Sequence, residues 1–437
     1  MKIRGFKAVF IMLIILVMMS VFVMGTMIAL PVLKKSKVEL AKENTSKIDK
    51  SYASESLSQT SAKTTSSVST NSTDSNALTR NYEIKSEESW DVSKNQDGSV
   101  IAKFTLSDRT LRISGSGEMK DWTYSNDKCD WYDSQYTNII NNVIIENGIT
   151  SIGEYAFSSC SSLENIEIPS SVTSIGRYAF LGCSSLVNIE IPSSVTRIWN
   201  SAFEGCSSLV SINVNEGNNS YVSEEGVVFN KNKTKLIKYP CKKQSTKEYS
   251  ISNSVTSIGS CAFEECSSLV KIEIPSSVTS IEGSAFYGCS SLERIEIPNS
   301  ITRIEWGTFE DCSSLEKIEI PSSVTSIGDL VFERCSSLVN INIPSSVTSI
   351  GMDAFWECSS LGRIEIPSSV TRIGHNAFYK CSGLIYTKAD SYGHQYAEEN
   401  KIGYILDGSA TKITTQYEMN AEESWDVSKN QDGSVIA

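Results

Sequence analysis

Histidine is nearly missing: only His375 and His394 occur in 437 residues. That leaves little material for imidazole acid–base catalysis or a histidine-bound metal. A surplus of positive charge is missing too, since 39 Lys and Arg face 51 Asp and Glu, a formal net charge of −12. Nucleic acid and anionic lipid need basic stripes, so the balance argues against both as main partners. No G-x-S-x-G, P-loop, H-E-x-x-H or EF-hand pattern occurs. The chain therefore reads as a non-enzyme, with no catalytic residues, no metal and no cofactor. Twelve cysteines are too sparse for a small disulfide scaffold.

What is present begins with an apolar run. Lys2, Arg4 and Lys7 precede Ala8–Leu33, long enough as a helix (about 39 Å) to cross a bilayer core of ~30 Å. Residues 1–7 read as a cytoplasmic basic segment and 8–33 as a signal anchor, a single transmembrane helix. A long signal peptide cut near Gly25 is the alternative. Lys34, Lys35 and Lys37 match the three basic residues in front, so flanking charge does not set orientation. Both readings place residues 34–437 outside the cell, membrane-tethered or secreted. Residues 34–80, rich in Ser, Thr, Lys and Asn, read as a disordered stalk.

Nine cysteines then fall on one ruler: Cys160, Cys183 and Cys206, followed by Cys266, Cys289, Cys312, Cys335, Cys358 and Cys381. Within each run the step is 23 residues. Such a period signals stacked coils that cannot bury an apolar face singly. The fold expected is a β-rich repeat solenoid over 138–390. In one coil Ile166 and Ile168 alternate with Glu167 as a short strand, Pro169 ends it, and Ser170-Ser171 turns the chain. Val172 and Ile175 return along a second side, and Ala179, Phe180 and Cys183 close the coil. About eleven coils at a strand spacing near 4.8 Å make a rod or arc roughly 50 Å long. The coil at Leu209 carries an insertion at about 215–245, in which Gly226–Asn230 and Lys235–Tyr239 read as a hairpin projecting from one side.

The spacing C-S-S-L-x-x-I-x-I-P-x-S-[VI]-T-x-I, with A-F before the cysteine, resembles the BspA-like class of leucine-rich repeat. The resemblance covers about residues 138–390. It implies a bacterial or protist surface protein, adhesin-like, that binds protein or glycan on host or neighbouring cells.

Residues 81–137 read as a small β-rich module capping the first coil, with strands Gly98–Leu106 and Arg109–Gly115. Residues 391–410 read as a C-terminal cap containing a short helix. Glu422–Ala437 repeats Glu87–Ala102 letter for letter, so 411–437 reads as an incomplete second copy of the module. A shortened tandem protein, a natural tail, and a strand that pairs with another copy are the three readings; the chain is otherwise expected to be a monomer. A solenoid serving as a spacer or docking arm for a further module is the alternative to a binding role.

Two surfaces compete for that role. On the strand face, Glu273, Glu296, Glu319 and Glu365 form one column, with Lys271, Arg294, Lys317 and Arg363 two residues earlier. Stacked glutamates repel by nearly 1 kcal/mol, and the basic column should relieve this through cross-strand pairs. A solvated, self-neutralising face, a patterned ligand-binding sheet and a calcium-holding glutamate column are the options there. The second surface carries aromatics beside the A-F segment, chiefly Trp199, Tyr287, Trp306 and Trp356, which are either interface anchors or local packing. The cysteine ladder reads as buried free thiols. Cys129, Cys241 and Cys261 lie off it.

Overall fold

Strand alternation and turn chemistry are repeated so regularly that the uninterrupted coils share one shape. The structure, a computed structural model, describes residues 84–123, 128–132, 136–243 and 247–407. The expected membrane segment 8–33, the stalk 34–80 and the repeat 411–437 lie outside the described residues. Among those described, no helix is long and apolar enough to cross a membrane. The fold is a β-solenoid of about eleven turns of roughly 23 residues.

A coil starts on a strand such as Lys271–Glu273, whose middle isoleucine is buried while its neighbours face solvent. The prolines end this strand, and Pro275 accepts from the Val278 N–H at 3.0 Å to close the turn. A two-residue strand, Ser280–Ile281, forms the second side. A turn then leads to the cysteine through two left-handed residues, Ser284 (φ 54°) and Gly288 (φ 67°). Non-glycine residues hold both places in other coils, as Leu330 and Arg334 do, because hydrogen bonds to the next coil dictate the backbone there. Successive coils approach closely after the second strand. A Cβ on Gly374 would sit 2.3 Å from the Met352 nitrogen.

First strands pair in parallel register along one side of the rod. The longest such sheet has eight strands, running from Glu248–Ser250 to Tyr404–Leu406. Inside, phenylalanines stack coil on coil: Phe286, Phe309 and Phe332 have ring centroids 5.4 and 5.6 Å apart and no exposed surface. Ladder cysteines sit beside them. Cys289 Sγ donates to the Phe263 carbonyl at 3.1 Å and Cys358 Sγ to Phe332 at 3.0 Å. All twelve cysteines are free, and eleven are buried.

Both ends are covered. Strands Glu87–Asp91, Val100–Thr105 and Thr110–Gly115 form an antiparallel meander whose third member pairs parallel with Asn142–Ile145. Trp122, Trp131 and Tyr136 are buried beneath it, and Trp131 stacks on Phe157 at 5.9 Å. At the other end, helix Tyr392–Glu399 is capped by Ser391, whose Oγ accepts from the His394 N–H. Its Tyr396 and Ala397 are buried against the last coil, and Tyr404–Leu406 adds the final strand.

The insertion departs from expectation. It forms three strands, Tyr221–Glu224, Val227–Asn230 and Lys235–Lys238, and the third pairs parallel with Ser257–Ile258. It is thus woven into the second side of the rod, not projected from it, because Val227, Val228, Phe229 and Leu236 need burial. The apolar interior is accordingly in two clusters that meet here. Val228 belongs to the N-terminal cluster, Val227 and Phe229 to the C-terminal one. Cys241, expected off the ladder, joins it. Tyr239 takes the phenylalanine place, stacking on Phe263 at 5.2 Å, so Cys241 falls near the cysteine place with its Sγ 3.8 Å from the Cys206 carbonyl.

Candidate binding surfaces

On the eight-stranded sheet the two charged columns are in register. Lys271 stands beside Arg294, Arg294 beside Lys317, and Glu296 beside Glu319. All are exposed. The pairing differs from expectation: ion pairs run along a strand, not across strands. Lys271 Nζ lies 2.6 Å from Glu273 Oε1, and Arg363 pairs with Glu365 in the same way. A lysine or arginine stem reaches a carboxylate two residues on, on the same face, with no need to bridge to its neighbour. The Lys271 hydrogen bond, followed by that of Ser250, holds the Glu273 carboxyl below its usual range. Among the described residues, Arg294, Lys317, Glu296 and Glu319 form no ion pair, leaving four alternating charges open to solvent. Arg363 also lies 3.9 Å from the Tyr386 ring.

The aromatics do not form one column. They occupy three places in the repeat: Trp199 where other coils have glycine, Trp306 one position later, and Tyr287 and Trp356 after the phenylalanine. Trp199 and Trp306 are half exposed, at 47% and 49%. Trp306 covers Gly283, where a Cβ would lie 2.4 Å from its Nε1. Trp356 is partly buried between Arg334 and Lys380, 5.1 and 5.5 Å from its ring.

Two features escaped the sequence reading. The first is an acidic cluster around Arg334, which lies 2.8 Å from Glu333, 3.0 Å from Asp311, 3.8 Å from Glu357 and 4.0 Å from Glu310. Burial pushes the Glu310 and Glu333 carboxyls up to about 7, reinforced for Glu310 by Glu333 and opposed for Glu333 by Arg334. Their folded values exceed the unfolded value near 4.5, so the fold binds protons more tightly and gains stability as pH falls. Thermal unfolding followed at pH 8.5 and pH 5.5 should therefore show a gain of roughly 1–3 kcal/mol at the lower pH. A flat profile would contradict the burial of these carboxyls.

The second lies at the insertion. Lys238 Nζ is buried 3.3 Å from Glu264 Oε2 and donates to the Cys261 carbonyl at 2.8 Å. Cys261 Sγ donates to Glu204 Oε2 at 3.2 Å and lies 3.4 Å from Ser201 Oγ. Burial pushes the Cys261 thiol up to about 12. Glu204, Cys261 and Glu264 bring ligand atoms within 4.8 Å of one another, but the Lys238 ammonium already supplies the cation this group calls for. A cavity of about 230 Å³ adjoins it, walled by Trp199, Ser201, Tyr221, Lys235, Lys238 and Cys261 among others.

Six copies of the BspA type leucine-rich repeat region match this chain, over residues 133–255, 234–362 and 302–398. The chain belongs to that family. Among solved structures, a leucine-rich repeat protein from Eubacterium ventriosum ATCC 27560 is 27% identical with a TM-score of 0.48, covering 68% of this chain and 96% of that one. A leucine rich cell surface protein from Faecalibacterium prausnitzii A2-165 is 24% identical with a TM-score of 0.45, covering 72% and 98%. The pneumococcal vaccine antigen PcpA is 18% identical with a TM-score of 0.42, covering 71% and 98%. No curated protein gives a significant match. Solenoids of this family are typically non-catalytic binding scaffolds, and its members are typically at the cell surface.

Proposed function

We propose that the chain is a cell-surface binding protein, adhesin-like, that engages protein or glycan partners on host or neighbouring cells through the exposed strand face. Residues 8–33 would hold it to the membrane. The observation that carries this reading is the row of solvent-facing charges at Arg294, Glu296, Lys317 and Glu319, in parallel register and, among the described residues, outside any ion pair. Exposed charges already paired contribute little to a new partner, whereas open alternating ones offer complementarity and register.

The test is capture from host-matrix and cell-surface extracts by the full chain and by a Lys271→Glu, Arg294→Glu, Lys317→Glu variant. The variant should bind the captured partner at least tenfold more weakly, a loss of about 1.4 kcal/mol, and a Trp306→Ala, Trp356→Ala variant should bind it unchanged. The reverse pattern would move the site to the aromatic side.

A further inference from the structure

Where one coil follows directly on another, the phenylalanine N–H is handed to a carbonyl of the next coil; Phe378, in the last coil, has no next coil to receive it. Phe157 donates to Ala179 at 2.8 Å, Phe180 to Ala202 at 2.9 Å, Phe263 to Ala285 at 2.8 Å and Phe309 to Val331 at 2.9 Å. Phe203 breaks the series: its side chain is buried, and among the described residues its N–H meets no acceptor. The cause is a shortage of two residues. Ile258 and Phe263 are five apart, whereas Leu236, which pairs with Ile258, is only three from Tyr239, which stacks on Phe263. The short coil cannot bring a carbonyl to Phe203. Gly205, facing the same gap, donates instead to the Glu264 side chain at 3.2 Å, where its counterpart Gly182 finds the Glu204 main-chain carbonyl at 2.8 Å.

Phe203 lines the cavity, so its N–H is left for an acceptor brought from outside. The lining disfavours an anion. Lys235 and Lys238 are matched by Glu282 and Glu264, and the Glu204 carboxylate offsets Arg197, whose guanidinium lies 5.1 Å from the Trp199 ring, so the surroundings carry no surplus of positive charge. A neutral carbonyl fits. The equivalent N–H groups of Phe157, Phe180, Tyr239, Phe263 and Phe309 each take a main-chain carbonyl from a segment lying alongside, and the missing segment is two residues long.

We propose that this notch binds a short peptide main chain from a partner protein. One peptide carbonyl accepts from the Phe203 N–H, and a neighbouring side chain rests on the exposed ring of Trp199. Affinity comes from main-chain hydrogen bonding and selectivity from the rim, as when a strand is added to an open sheet edge. The notch is apart from the Lys271–Glu365 face, and nothing proposed for that face bears on it.

A random heptapeptide display library selected against the full chain tests this. Selected peptides should slow hydrogen exchange at the Phe203 amide. Binding should fall at least tenfold on Trp199→Ala, and also on a variant with Gly-Ala inserted after Ile237, which restores the five-residue spacing and fills the notch from within. The Lys271→Glu, Arg294→Glu, Lys317→Glu variant should bind them as the parent does. Should the insertion variant fail to fold, Trp199→Ala and the Phe203 exchange rate decide alone. Peptides that leave Phe203 exchange unchanged and bind both notch variants as well as the parent would overturn the proposal, as would a selection that yields no binder.

Discussion

Phe309→Ala is expected to lose about 3–5 kcal/mol of stability, measured by denaturant unfolding of the full chain. The ring has no exposed surface and stacks between Phe286 and Phe332, so its removal leaves a cavity that neither neighbour can fill without leaving its own stack. In a rod each coil rests only on the coils beside it, so damage is felt through interfaces and not through a global core. The interior divides at the insertion, and Phe309 belongs to the C-terminal cluster. The transition of that half should move while the half before Val228 unfolds at its parental midpoint. A single shifted transition would mean that the seam does not separate the clusters energetically.

Lys238→Met is expected to cost about 3–5 kcal/mol at pH 8.5, because it strands a buried carboxylate. Burial already pushes the Glu264 carboxyl up to about 8 against the pull of Lys238. Without the ammonium the group moves further up and protonates more readily. Its folded value then lies far above the unfolded one, so the penalty grows as pH rises and shrinks as pH falls. Unfolding at pH 5.5 should show a clearly smaller loss than at pH 8.5. The double variant Lys238→Met, Glu264→Met should recover most of the stability, since apolar side chains of similar volume replace buried pairs at little cost. A pH-independent loss, or no recovery in the double variant, would place Lys238 and Glu264 outside a buried pair.

The regular coil was legible in the sequence for a simple reason. Each position recurs in the same surroundings, so Ile272, Phe286 and Cys289 are read many times over. The insertion was legible only in part. Its strands could be read, but the fate of Lys235–Lys238 depends on a partner at Ser257–Ile258, beyond the segment's own pattern. Cys241 was missed because its ruler is broken by the short turn. Tyr239 and Cys241 are two residues apart, where the phenylalanine and cysteine of other coils, such as Phe263 and Cys266, are three apart. Nothing local in the sequence marks Lys238 as buried, because its partner Glu264 lies 26 residues further on. The charged columns follow from the repeat, but side-chain reach along the strand, not the strand spacing, decides which charges pair.

The most direct measurement of the stacked interior is a thiol count with an aromatic disulfide reagent, before and after denaturation. Twelve thiols should react in denaturant. In the native protein only Cys381, the half-buried member, should react within minutes, and slowly, because burial lifts its thiol to about 12. Cys241 provides a strict control. Its hydrogen bond with Cys266, opposed by burial and aided by Lys238, draws it down to about 7, yet at 4% exposure it should stay silent. Rapid native reaction of several thiols among Cys160, Cys183, Cys289, Cys312 and Cys335 would contradict the solenoid.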